Sequence, residues 1–115
     1  MDITINSPSE DISILHIYGK FTIEDVNFFK EKTSPLMKDP VKTILANFSE
    51  LNYIDSSGIG ALILLMNTAK NLNVELVLYN IPKEIHNVFK IAYLDKFFHI
   101  TTSLELKKLY PDISL

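Results

Sequence analysis

Apolar residues alternate with polar ones in some segments of the chain and recur at helical spacing in others. The first pattern, together with short apolar runs, predicts β-strands, and the second predicts α-helices. The predicted strands span residues 3–5, 12–18, 43–48, 74–79 and 99–101. The first predicted helix begins at Thr22. The other three extend from Ser56 or Ser57 to about Leu72, from Pro82 to about Ile91, and from Ser103 to Leu109. Because strands and helices alternate after an opening hairpin, we expect one α/β domain over residues 1–115, with a mixed sheet of about five strands.

Turn-forming residues mark the expected ends of these segments. Ser7–Asp11 is predicted to be a turn, and Gly19 is predicted to end the second strand. Pro35 is expected either to kink the first helix or to close it a turn earlier. The run Thr43–Phe48 does not alternate, which predicts a central strand covered on both faces. Leu104 and Leu106 are expected to pack the last helix against the sheet.

The composition excludes several kinds of site. The chain has 115 residues, 47% of them hydrophobic, which suits one compact domain. It contains no cysteine, which excludes disulfides, thiol catalysis and thiolate metal sites. All 11 basic residues are lysines and the net charge is −3. Since arginine is the usual residue for recognising phosphate and guanine, this balance argues against direct nucleic-acid binding.

Neither a secretion signal nor a membrane-spanning segment is indicated. The first residues lack a basic region followed by an apolar one. The longest strongly apolar stretch, Ile59–Met66, is far shorter than the roughly 20 residues that a bilayer requires. We therefore expect no membrane insertion and a cytoplasmic location.

The segment Leu51–Gly60 joins a buried strand to an apolar helix and holds two hydroxyl residues and two glycines at the junction. The first turn of a helix has free N–H groups and a partial positive charge, which suits a phosphate attached to Ser56. Asp55 or Ser56 as a simple helix N-cap is the alternative. Because Asp55 already places negative charge beside Ser56, phosphorylation is expected to break a docking surface more readily than to order one.

The helix that follows has two different sides. At 100° per residue, one stripe is expected to be core, and it consists of Ile59, Leu62, Ile63, Met66 and Ala69. The opposite side carries Ser57, Gly60 and Leu64. Leu64 is thus an apolar residue on the side predicted to be exposed, and it is a candidate contact for a partner.

The run Tyr53–Leu62 closely resembles the signature of STAS domains, in particular the anti-sigma factor antagonists of bacterial partner-switching systems. The resemblance covers nearly the whole chain and implies a mixed sheet of about five strands, with about four helices packed mainly on one side. It also implies a cycle. The unmodified antagonist binds an anti-sigma factor that is a serine kinase and so releases the sigma factor. Phosphorylation separates the antagonist from the kinase. A metal-dependent serine phosphatase then resets the system.

Mapped onto this sequence, the resemblance implies that Ser56 is the phosphoacceptor and that the protein is not an enzyme. Asp55, Ser57 and Gly58 would shape the surroundings of Ser56, and the partner surface would also include Gly60, Leu64 and Thr22. Thr22 stands where many members of the family have an acidic residue, which leaves the identity of the partner open.

Other functions find less support in the sequence. A hydrolase would need His16, His86 or His99 as a base for Ser56 or Ser57, but none has a spacing that points to either serine. The Gly-x-Ser-x-Gly elbow is absent, no metal-ligand spacing occurs, and no cofactor is expected.

Two alternatives stay open. Gly58 and Gly60 do not complete a glycine-rich nucleotide fingerprint, although weak nucleotide binding at the helix start is compatible with the pattern. The main alternative lies within the same family. It is a STAS scaffold, or an accessory subunit of a signalling complex or a transport ATPase, in which Ser56 is never phosphorylated.

Overall fold

The computed structural model describes all residues from 1 to 115 and contains one five-stranded sheet, in the order β1-β2-β3-β4-β5. The strands are β1 (Asp2–Ser9), β2 (Ile12–Phe21), β3 (Thr43–Ile54), β4 (Glu75–Tyr79) and β5 (His99–Thr101). β1 runs antiparallel to β2, and the other neighbours are parallel. The predicted mixed α/β sheet is confirmed.

Four α-helices connect or follow the strands, as predicted. They are α1 (Val26–Thr33), α2 (Ser56–Asn71), α3 (Lys83–Ile91) and α4 (Ser103–Leu109). Short 3₁₀ turns precede and follow α1, at Ile23–Asp25 and Ser34–Leu36. Pro35 lies in the second of these turns, so it closes the helix instead of kinking it.

Three strand ends differ from the prediction by more than one residue, because the sheet tolerates irregular residues at its bulges. Ser7–Ser9 belongs to β1, where the pairing with β2 is interrupted between Asn6 and Ser9. Pro8 fits there because it lies at a bulge on an edge strand. Gly19 does not end β2, since it lies within the strand with a φ of +88°, next to a shift in register. β3 extends to Ile54 because β2 continues beside it as far as Phe21.

Helices α1, α2 and α3 cover one face of the sheet, and 21 buried residues form the main core there. A smaller cluster of five buried residues lies on the other face, where Leu106 of α4 packs against the sheet. The expectation that the helices pack mainly on one side is confirmed. Leu104 was expected to pack as well, but 69% of its surface is exposed. The short α4 turns only one side towards the sheet, and Leu106 occupies it.

Tyr79 is fully buried on the face that α4 covers. Its hydroxyl has no hydrogen-bond partner, and burial raises the pKa of Tyr79 to about 12. No helix of the chain combines the length and the apolar character needed to cross a bilayer.

The parallel pairing of β2 with β3 determines where the candidate site lies. Phe21 and Ile54, the last residues of the two strands, are paired in register. The backbone N–H of Asp55 donates to the carbonyl of Phe21 at 3.1 Å. The segments that open α1 and α2 therefore start side by side at one edge of the sheet, as expected for parallel strands.

Candidate functional site

Asp55 connects the beginnings of the two helical segments. Its backbone is extended and it is the N-cap of α2. One carboxylate oxygen, Oδ1, accepts a hydrogen bond from the N–H of Gly58 at 2.9 Å. The other oxygen, Oδ2, accepts from the N–H of Ile23 at 3.2 Å, in the 3₁₀ turn before α1. Both oxygens of Asp55 thus accept hydrogen bonds from backbone N–H groups. The residue therefore links the starts of the two helical segments and also adds negative charge to the site.

Thr22 caps the neighbouring segment, at the position where the first helix was predicted to begin. Its hydroxyl accepts from the N–H of Glu24 at 3.3 Å, and the carboxylate of Asp25 accepts from the N–H of Thr22 at 2.9 Å. This reciprocal arrangement is a capping box. The pKa of the Asp25 carboxyl is lowered, chiefly because of the hydrogen bond from the backbone of Thr22. Thr22 is half-buried and its side chain is committed to the cap.

Ser56 is the first residue of α2, and its side chain is exposed. Its hydroxyl makes no hydrogen bond within the protein, because Asp55 serves as the cap in its place. Ser57, the next residue, is half-buried and lines a groove between α1 and α2. The two serines therefore differ in access: the hydroxyl of Ser56 faces solvent, whereas Ser57 lies on the wall of the groove.

Gly58 is buried and does not lie on the exposed surface of the site. A Cβ atom at this position would be 2.7 Å from the carbonyl oxygen of Phe21 and 2.9 Å from Cγ1 of Ile54. These contacts are too close for any side chain, so glycine is required for the first turn of α2 to lie against the ends of β2 and β3. Gly58 was predicted to belong to the partner surface. In the structure it instead packs beneath the exposed residues of this segment.

Gly60 and Leu64 lie on the opposite side of α2. Gly60 is exposed, and a Cβ atom there would meet nothing within 4 Å. Leu64 has 50% of its surface exposed, as the helical periodicity predicts. The core stripe was predicted less well, because Ile59 and Ile63 are only half-buried and Leu65 is buried. Leu65 is buried because α1 packs beside α2, a contact that the helical pattern alone does not show.

The groove between α1 and α2 has a volume of about 630 Å³. Fourteen residues line it, namely Ile23, Val26, Asn27, Phe29, Lys30, Thr33, Ser34, Met37, Ser57, Gly60, Ala61, Leu64, Leu65 and Thr68. Sequence reasoning found only the α2 side of this groove. Ile23, just after the cap of the first segment, lies on the other side with 70% of its surface exposed, which the sequence pattern did not show.

The histidines lie apart from the two serines in the hydrogen-bond network. Nδ1 of His16 is 3.0 Å from Nδ2 of Asn47, across the β2–β3 pair. None of the three histidines forms a hydrogen bond with Ser56 or Ser57. No group of three or more His, Cys, Asp or Glu side chains is arranged to hold a metal ion.

The model of the STAS domain family matches residues 7–107. The chain belongs to the STAS domain family. Within this family, the chain is similar to an anti-sigma-B factor antagonist of Staphylococcus aureus. The two are 25% identical over 111 residues, which cover 93% of this chain and 100% of the relative.

Solved structures show that the fold of this STAS domain is shared. The unphosphorylated form of the anti-sigma factor antagonist SpoIIAA superimposes with a TM-score of 0.78 and 20% identity, over 98% of this chain and 100% of SpoIIAA. The phosphorylated form of SpoIIAA, a Bacillus cell fate determinant, gives a TM-score of 0.72 and 21% identity, over 95% of this chain and 99% of that one.

Proposed function

We propose that this STAS domain is an anti-sigma factor antagonist whose partner is a serine-kinase anti-sigma factor. The unmodified protein binds the kinase and so releases a sigma factor, and phosphorylation of Ser56 reverses the binding. The observation that carries this proposal is the position of Ser56. Its hydroxyl is exposed and makes no hydrogen bond, at the first position of α2, where a phosphate is stabilised by the helix N-terminus.

The surroundings of Ser56 support the direction of the switch. A phosphoserine carries a charge of about −1.5 to −2 at neutral pH. It would lie beside Asp55, whose carboxylate is held in place by the N–H groups of Gly58 and Ile23. Because Asp55 cannot turn away without losing these bonds, phosphorylation concentrates negative charge on the surface. A partner that docks on the neutral hydroxyl therefore loses affinity.

The proposed docking surface has two layers. The residues that a partner would touch are exposed or half-buried, and they are Thr22, Ser56, Ser57, Gly60 and Leu64. Beneath them, Asp55 and Gly58 fix the shape of the surface, because they hold the two helical segments together and against the sheet.

The relatives support the same assignment. The Staphylococcus aureus protein that matches over its full length is an anti-sigma-B factor antagonist. SpoIIAA, an anti-sigma factor antagonist with the same fold, has been solved both unphosphorylated and phosphorylated. By this analogy, the protein acts in the cytoplasm as a binding protein without enzymatic activity of its own, and a metal-dependent serine phosphatase regenerates it.

Phosphate transfer in vitro tests the proposal. Each serine-kinase anti-sigma factor encoded in the same genome is incubated with ATP and the wild-type protein, and the product is measured by intact mass. We expect one phosphate on the wild type and on Ser57→Ala, and none on Ser56→Ala. Equal uptake by wild type and Ser56→Ala would contradict the assignment of Ser56. No uptake with any of these kinases would contradict the proposed cycle.

A further inference from the structure

The groove between α1 and α2 continues from the candidate site along most of α2. Its lining on that helix extends from Ser57 to Thr68, eleven positions further along, which is about 16 Å at the rise of an α-helix. Phe29, Met37 and Leu65 are buried and form its apolar floor. The groove is therefore long and apolar, and it starts at the residue that follows Ser56.

Lys30 is the one charged residue among the fourteen that line the groove. Its side chain is exposed and takes part in none of the three ion pairs of the structure. Nine of the eleven lysines are outside these ion pairs, and Lys30 is the one among them that lines the groove, in a protein whose net charge is −3. An occupant that carries one negative charge opposite Lys30 would complement it.

The rims of the groove indicate the size of the occupant. Ile23 on one rim and Leu64 on the other are 70% and 50% exposed. A small molecule inside the groove would leave both side chains in water, whereas a helix lying across it would cover them. Gly60 lies one turn before Leu64 on α2 with open space above it, so a helix backbone can approach closely.

We propose that this groove receives an amphipathic helix of the anti-sigma factor partner, which places apolar side chains on the groove floor and an acidic side chain opposite Lys30. This inference rests on the proposed function and adds the location and chemistry of the contact. It also gives a reason for release. A phosphate on Ser56 adds negative charge at the end of the groove, where it repels an acidic helix.

A pair of charge reversals in the last turn of α1 tests the electrostatic part. Lys30→Glu changes the groove, whereas Lys32→Glu changes a lysine that lies over the ring of Phe28 and does not line it. Both lysines are in the same turn, so the effect on the helix dipole is matched. With the kinase that phosphorylates Ser56 and ADP, we expect Lys30→Glu to weaken binding by about tenfold or more, because like charges would face each other. Lys32→Glu is expected to change it by less than about threefold.

A cross-link identifies the segment that occupies the groove. Because the chain has no cysteine, a single Asn27→Cys in the groove lining accepts one benzophenone maleimide. Asn87→Cys, on the exposed side of α3, is the control. We expect Asn27→Cys to capture a kinase peptide with apolar residues at spacings of three and four and at least one acidic residue. Capture of a peptide without an acidic residue, or equal capture from both positions, would overturn the proposal.

The outcomes separate this inference from the proposed function. If Ser56 accepts phosphate and Lys30→Glu binds as the wild type does, no acidic side chain lies opposite Lys30 and this inference fails, whereas the proposed function stands. If the wild type accepts no phosphate from any of the kinases, the proposed function itself fails. Circular dichroism spectra of all variants, matched to the wild type, ensure that a loss of binding is not a loss of folding.

Discussion

The two sides of the first turn of α2 differ in what they contact, although they belong to one short motif. On the inner side, Gly58 touches the ends of β2 and β3, and Asp55 caps the helix. On the outer side, Ser56 and Gly60 are exposed, and a Cβ atom at Gly60 would meet nothing within 4 Å. A motif that reads as one unit in the sequence thus divides into residues that hold the fold and residues that are free to meet a partner.

Replacement of Gly58 by alanine should have the largest effect on stability. The added Cβ would lie 2.7 Å from the carbonyl oxygen of Phe21, which is a backbone atom and cannot rotate away. We expect the free energy of unfolding to fall by about 2–3 kcal/mol, as for other overpacked sites. Urea denaturation, followed by circular dichroism, measures the change.

Gly60→Ala is the matched control on the outer side of the same helix. Nothing lies within 4 Å of the new methyl group, and alanine favours helix more than glycine does by about 1 kcal/mol. We therefore expect Gly60→Ala to be neutral or stabilising. Equal destabilisation by Gly58→Ala and Gly60→Ala would show that the inner and outer sides of α2 do not differ in how tightly they are packed.

Asp55→Ala should have the next largest effect, because it removes two hydrogen bonds from backbone N–H groups at once. The loss of an N-cap costs about 1–2 kcal/mol. Asp55→Asn keeps a side-chain oxygen that can accept from Gly58, so we expect it to lose less. Hydrogen exchange of the amides of Gly58 and Ile23, measured by NMR, locates the effect. Unchanged protection of both amides in Asp55→Ala would contradict the bridging role of Asp55.

The local pattern of the sequence was sufficient to predict most elements of the fold. The last strand, His99–Thr101, and the last helix, Ser103–Leu109, were predicted with their observed bounds. Gly19 was misread because the sequence does not show whether a glycine ends a strand or lies at a bulge within it. That distinction depends on the pairing of β2 with β3.

The candidate site was only partly predictable, for the same physical reason. Gly60 and Leu64 follow from the helical period, which places them on an exposed side of α2, whereas the choice of Ser56 over Ser57 came from the family resemblance. The burial of Gly58 against Phe21 and the groove beside Lys30 depend on contacts between segments that are distant in the chain. No local pattern contains this information, so the sequence grouped Gly58 with the surface residues.

Ser56→Asp should have the smallest effect on stability, because Ser56 lies on the outer side. An acidic residue in the first turn of a helix is favoured by about 0.3–1 kcal/mol, and repulsion from Asp55 opposes this gain. We therefore expect the free energy of unfolding to stay within about 0.5 kcal/mol of the wild type. Binding to the kinase should nevertheless fall, since the new charge lies on the proposed docking surface.

Calorimetry of the kinase with wild type, Ser56→Asp and the uncharged Ser56→Asn separates charge from shape. If charge acts as proposed, Ser56→Asp loses affinity and Ser56→Asn retains most of it. Equal affinity of Ser56→Asp and the wild type would remove the electrostatic basis of release, although Ser56 could still be the site of phosphate transfer. A loss of stability above about 1 kcal/mol in Ser56→Asp would instead place Ser56 among the residues that hold the fold, as Gly58 and Asp55 do.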